Sequence, residues 1–153
     1  MLKLFKSKSG ARNMTTKEDL KKVTLQDIPT SPKASLNRNQ LWEVFQAARK
    51  ELEEALSGAE RCQRKLATST ADSDNINAGE VIDRANQTVS LKINTSQAQR
   101  YDKYTDRLCK AIENILNGEY DDHCRKCKKV IPLERLLTEP QTGMCVPCKE
   151  KKY

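Results

Sequence analysis

Cys124-Arg-Lys-Cys127 and Cys145-Val-Pro-Cys148 are the stretches that decide how this chain folds. Four thiols in two Cys-x-x-Cys pairs, with a mid-length loop between them, are what a tetrahedral Zn²⁺ site requires. Each pair makes a tight knuckle that turns two sulfurs to one side, and the intervening segment folds back to bring the knuckles together. Metal binding at such a centre contributes on the order of 10 kcal/mol or more, and that energy goes into folding. A segment of about thirty residues cannot bury enough apolar surface to hold together without it. Two disulfides or a redox-active pair would use the same cysteines. Nothing in the sequence suggests export, however, and the spacing suits a metal. The reading is therefore one structural Zn²⁺ on Cys124, Cys127, Cys145 and Cys148. With four thiolates bound, no position stays open for substrate or water, so the centre is not catalytic.

Composition limits what surrounds this module. Of 153 residues, 37% are hydrophobic, 5% aromatic and 32% charged, which favours long exposed helices plus a stapled module over one large core. The opening run Met1-Leu-Lys-Leu-Phe-Lys6 is too short for a signal peptide, and no stretch is long and apolar enough to span a bilayer. Cys62 and Cys109 fall inside helical patterns, which fits a reducing cytoplasm with four thiols on zinc and two free. The net charge is +7, and much of the excess lies before residue 39. Residues 1–34 lack apolar periodicity and read as a basic, disordered arm, a solvated tail. Electrostatic attachment to nucleic acid is the alternative reading of that arm.

From Ser35 the pattern changes. Leu41, Phe45, Ala48, Leu52, Ala55, Ala59, Cys62 and Leu66 alternate steps of four and three, a heptad seam with charged residues between them. Ser35 and Asn37 are candidate N-caps. The polar run Thr68 to Gly79 reads as a connection. A second helix follows from about Glu80 or Val81 to Asn117, with Gly118 as its C-cap. Its seam is clear in Tyr101, Tyr104, Leu108, Ile112 and Ile115 and poorer at Ala85, Val89 and Ile93. The fold class is thus mainly α: a long antiparallel helical hairpin, a coiled coil, over 35–118 with its tip near 68–85. A four-cysteine zinc finger and short tail over 119–153 complete it.

This order of parts resembles the DksA/TraR family of bacterial transcription regulators. The match is carried by Gly118-Glu-Tyr120, Cys124-Arg-Lys-Cys127, Ile131, Arg135-Leu136, Pro140 and Cys145-Val-Pro-Cys148. At the hairpin turn, Glu80-Val-Ile-Asp83-Arg84-Ala85 is similar to the family's Asp-x-x-Asp-x-Ala. The resemblance implies a protein, expected to be monomeric, that binds RNA polymerase and inserts its coiled coil through the secondary channel. It also implies that direct DNA binding is not required. Glu80, Asp83 and Ala85 would be the polymerase-contacting tip, Asp83 for a polar contact and Ala85 for close approach.

The sequence also departs from the family. Lys128 stands where many members have a glycine at a positive-φ position, a strain of about 1 kcal/mol. One extra residue separates Tyr120 from Cys124. Some members respond to ppGpp through basic residues near the rod base; here Arg107 and Lys149 could serve, but Glu139 precedes Pro140. An acid there repels a pyrophosphate, so ppGpp cooperation is expected to be weak or absent. His123, beside Cys124, reads as a surface residue rather than a zinc ligand.

Three other functions compete with this reading, the plainest being a coiled-coil scaffold. A transcript-cleavage factor like GreA also carries acids at a coiled-coil tip. A zinc-ribbon nucleic-acid binder would use Arg125, Lys126, Lys128, Lys129 and Lys149. No nucleophile–base pair, phosphate loop or open metal site is visible, so no intrinsic enzyme is expected.

Overall fold

The computed structural model describes residues 17–71 and 81–151. It is helical: α1 spans Lys17–Lys21, a 3₁₀ turn Leu25–Asp27, α2 Arg38–Ala71, α3 Val81–Leu116, α4 Leu133–Thr138 and α5 Val146–Glu150. Among the described residues the only β-pairing is an isolated antiparallel bridge between His123 and Val130. The chain divides into two compact units, one of Met1–Leu52 with Arg107–Tyr153 and one of Glu53–Asp106.

The first unit holds most of the core. Leu41, Val44, Phe45 and Ala48 of α2 and Leu108, Ile112 and Ile115 of α3 are buried at helical spacing. Ile131 and Leu136 from the cysteine-bearing segment are buried as well. Trp42 is half-buried and stacks on Phe45, with ring centroids 5.4 Å apart.

The local signals at both helix ends work as chemistry requires. Asn37 Oδ1 accepts from the Gln40 N–H at 2.9 Å, and Gln40 Oε1 accepts from the Asn37 N–H at 3.0 Å. This reciprocal pair caps α2. At the end of α3, Gly118 takes φ +69°. The Glu119 N–H then reaches the Asn114 carbonyl at 2.8 Å and the Gly118 N–H reaches Ile115 at 3.2 Å, the two bonds of a Schellman motif. Pro29 and Thr30 pack so closely on Gly118 that a Cβ there would lie 3.3 Å from Pro29 Cγ.

The expected arm therefore needs correction. Over 17–34 the chain is folded: Leu20, Val23 and Ile28 are buried, and Ser31 Oγ donates to the Tyr120 carbonyl at 2.6 Å. Apolar periodicity is absent there because the segment is held by single anchors rather than by one helix face. Residues 1–16 lie outside the described residues.

In the second unit α2 and α3 run antiparallel. Gly58 sits against Tyr101 and Cys62 Sγ lies 3.9 Å from Gln97 Oε1, so four residues forward on α2 match four backward on α3. Gly58 is buried and Ala59 is not, which shifts the expected seam by one position. A Cβ on Gly58 would lie 2.6 Å from the Tyr101 ring; the missing side chain seats the ring. Val89 and Ile93, expected on the seam, are 55% and 52% exposed. The inward-facing residues there are Leu91, Asn94 and Ala98, all partly buried.

Helix α2 also continues to Ala71, beyond the expected start of the connection. Thr68 Oγ1 donates back to the Arg64 and Lys65 carbonyls at 3.2 and 3.0 Å, so the polar run satisfies its hydroxyl within the helix. No helix among the described residues is long and apolar enough to cross a membrane.

Candidate metal centre

The four expected cysteines meet in the first unit. Their sulfurs lie within 4.8 Å of one another, with Cys127 and Cys145 Sγ 3.6 Å apart. A tetrahedron of sulfurs with bonds of about 2.3 Å has edges of about 3.8 Å. The observed separation is close to that edge and far from the roughly 2.05 Å of a disulfide. Cys124 is buried, and Cys127, Cys145 and Cys148 are partly exposed.

Backbone geometry builds each knuckle. The Cys124 N–H donates to the Lys129 carbonyl and the Lys128 N–H to the Cys124 carbonyl, both at 2.8 Å. To close this turn Lys128 takes φ +60°, the only positive φ on a non-glycine among the described residues. The strain expected from the sequence is present. The second knuckle opens α5, where the Lys149 N–H reaches the Cys145 carbonyl at 3.0 Å. The Arg125 N–H donates to the Gly143 carbonyl at 2.9 Å. The bare Gly143 lets the Arg125 side chain lie against it: a Cβ there would come within 2.7 Å of Arg125 Nε, and the guanidinium would have to shift.

The thiols differ in acidity. Backbone N–H groups, that of Cys127 foremost, pull Cys124 down to about 6. The sulfur of Cys145, then burial and the remaining thiols, push Cys148 up to about 12. Four sulfurs this close cannot all ionise unaided, whereas a dication can draw the last protons away. The donor set thus fits a soft or borderline metal in a closed tetrahedral site.

The module is tied to the rest of its unit through two side chains. Asp122 is fully buried, and its Oδ2 accepts from the Ser35 N–H at 3.0 Å and the Ser35 hydroxyl at 2.5 Å. Ser35, expected as a helix cap, thus serves as a clasp. The Ile131 N–H reaches the Asp122 carbonyl at 2.8 Å. Tyr120 is buried, which pushes its phenol well above the ordinary range. It stays neutral and donates to the Pro140 carbonyl at 3.3 Å.

The basic residues considered as anion ligands are differently placed. Lys149 Nζ lies 2.9 and 3.0 Å from the two Glu139 oxygens, and Arg135 lies 3.1 Å from Glu139 Oε2. Arg107 instead lines a cavity of about 220 Å³ with Lys110, Arg125, Glu119 and Asp121. His123 stands apart from the sulfur cluster, as expected. Of the tip residues, Asp83 and Ala85 fall in the first turns of α3, and Glu80 lies outside the described residues. Sequence reading missed Asp122 and Gly143 and gave Ser35 a different role; their pairings are with residues distant in sequence, which leaves no periodic trace.

No family model and no curated protein matches the sequence. Among solved structures, the chain is similar to transcription factor DksA2 from Pseudomonas aeruginosa, with a TM-score of 0.61 and 18% sequence identity. The alignment covers 89% of this chain and 94% of that one. The fold of this chain is DksA-like.

Proposed function

We propose that this protein is a transcription regulator that binds RNA polymerase and alters the stability of promoter open complexes through the turn of its helical hairpin, inserted in the secondary channel. The observation that carries the reading is the likeness to transcription factor DksA2 over nearly the whole of both chains. A four-thiol centre and the Glu80-Val-Ile-Asp83-Arg-Ala85 motif support it. The metal is Zn²⁺, one per chain, held by Cys124, Cys127, Cys145 and Cys148. It supplies folding energy and no chemistry.

A carboxylate such as Asp83, placed in a confined passage of low dielectric, perturbs nearby cations more strongly than it would in water. A differential of about 1.4 kcal/mol between closed and open complexes shifts their balance tenfold. A few oriented contacts supply that much, so the regulator need catalyse nothing. Glu139 bears on regulation: it neutralises Lys149 and Arg135 from within. This supports weak or absent cooperation with ppGpp, and strong ppGpp synergy in an in vitro transcription titration would contradict it.

Co-purification with RNA polymerase, without DNA, tests the main reading. The wild-type chain and Asp83→Asn are both expected to be retained by the polymerase. Failure of the wild type to bind refutes the assignment. Release of short RNA from backtracked complexes on its addition would transfer it to the transcript-cleavage class.

A further inference from the structure

Outside the thiol cluster, Asp121, Asp122 and His123 bring an imidazole and two carboxylates together. His123 Nδ1 lies 3.0 Å from Asp121 Oδ1 and 3.0 Å from Asp122 Oδ1. A ring nitrogen can aim one N–H at one acceptor, and the hydrogen-bond geometry is satisfied toward Asp121. Asp122 Oδ1 is therefore left without a hydrogen-bond donor, although Asp122 is 0% exposed. Its other oxygen is already occupied by Ser35. A buried carboxylate oxygen without a donor is costly, and a native fold commonly answers it with a water or an ion.

The distances fit an ion as well as a hydrogen bond, and the orphaned Asp122 oxygen is what asks for one. Donors at about 2.1 Å from an octahedral cation stand about 3.0 Å apart when adjacent. That is the separation observed from the imidazole nitrogen to each carboxylate oxygen. The Asp121 and His123 side chains are 55% and 36% exposed, so water can reach the remaining coordination positions from that side. We infer that Asp121, Asp122 and His123 form a second divalent-cation site, with the lone pair of His123 Nδ1 and one oxygen from each aspartate as ligands. A nitrogen–oxygen donor set of this kind takes Mn²⁺, Co²⁺, Ni²⁺ or Zn²⁺. It is distinct from the all-sulfur centre in ligands and in openness. Because Asp122 also holds Ser35, an ion here would clasp the segment leading into α2 to the first knuckle.

The single histidine of the chain makes the test clean. Full-length protein with zinc in its thiol centre is titrated with Co²⁺, followed by proton NMR of the imidazole and by visible absorption. The expected result is one further equivalent, with strong displacement of the His123 ring resonances and the weak bands of nitrogen–oxygen coordination. Asp121→Asn and His123→Ala are each expected to weaken that equivalent at least about tenfold, with zinc content and helical circular dichroism retained. For His123→Ala the absorption and a metal-binding isotherm replace the ring signal. The inference is overturned if the wild type takes up no second equivalent at millimolar Co²⁺. It is equally overturned if both variants bind as the wild type does, which would put the ion elsewhere. Neither readout involves polymerase, so this site and the proposed function stand or fall separately.

Discussion

The unit of Met1–Leu52 with Arg107–Tyr153 and the unit of Glu53–Asp106 are built from the same two helices by different means. In the first, α2 and α3 bury large side chains such as Phe45, Leu108, Ile112 and Ile115 completely. Four clustered sulfurs and the Ser35–Asp122 clasp lie in the same unit. In the second, the contacts are narrow: Ala55, Cys62, and a tyrosine ring seated on a glycine. Val89 and Ile93 stay open to solvent. Stability is therefore expected to reside in the first unit, which leaves the second free to vary its surface without loss of fold. Mutations can break that contrast or sharpen it.

The largest effect belongs to the metal. Its removal by a chelator, or Cys127→Ala, withdraws on the order of 10 kcal/mol of coupled binding and folding energy. Residues 119–151 should lose amide protection in hydrogen exchange while α2 and α3 of the second unit keep helical circular dichroism. Next is Ile112→Ala, a fully buried truncation in the first unit. It should cost about 2–5 kcal/mol in urea unfolding. Gly58→Leu forces a side chain into the space of the Tyr101 ring and should cost about 1–3 kcal/mol. Lys128→Gly removes a side chain from a left-handed position and should raise the stability of the zinc-loaded protein by about 1 kcal/mol. The smallest effect is Ile93→Ala, at a 52% exposed position, which should change stability by about 0.5 kcal/mol or less. A cost at Ile93 comparable to that at Ile112 would remove the contrast between the units.

The parts legible in the sequence were those with short-range rules. Cysteine spacing pointed to the four-sulfur cluster, Gly118 to the end of α3, and a missing glycine at Lys128 to the strained turn. Periodicity found the strong halves of both seams. It failed where packing is thin, because a hydropathy pattern assumes that apolar residues face inward. Gly58 carries no such signal, and its role depends on Tyr101 forty-three positions later. Val89 and Ile93 carry the signal without the burial. The Leu20, Val23 and Ile28 anchors look like chance apolar residues in a basic arm, since their partners lie elsewhere in the chain. The group of Asp121, Asp122 and His123 was hidden for another reason: what sets it apart is the burial of Asp122 with one oxygen lacking a donor, which adjacency in sequence does not reveal.

Stability is expected in the first unit, and the proposed function puts regulation at the hairpin turn. The lifetime of promoter open complexes, measured with saturating wild-type protein and with saturating Asp83→Asn under conditions where both are bound to polymerase, tests that division most directly. The wild type is expected to change the lifetime about tenfold, corresponding to about 1.4 kcal/mol, and Asp83→Asn by less than about twofold. Equal effects from the two bound proteins, or no effect from the wild type, would contradict it.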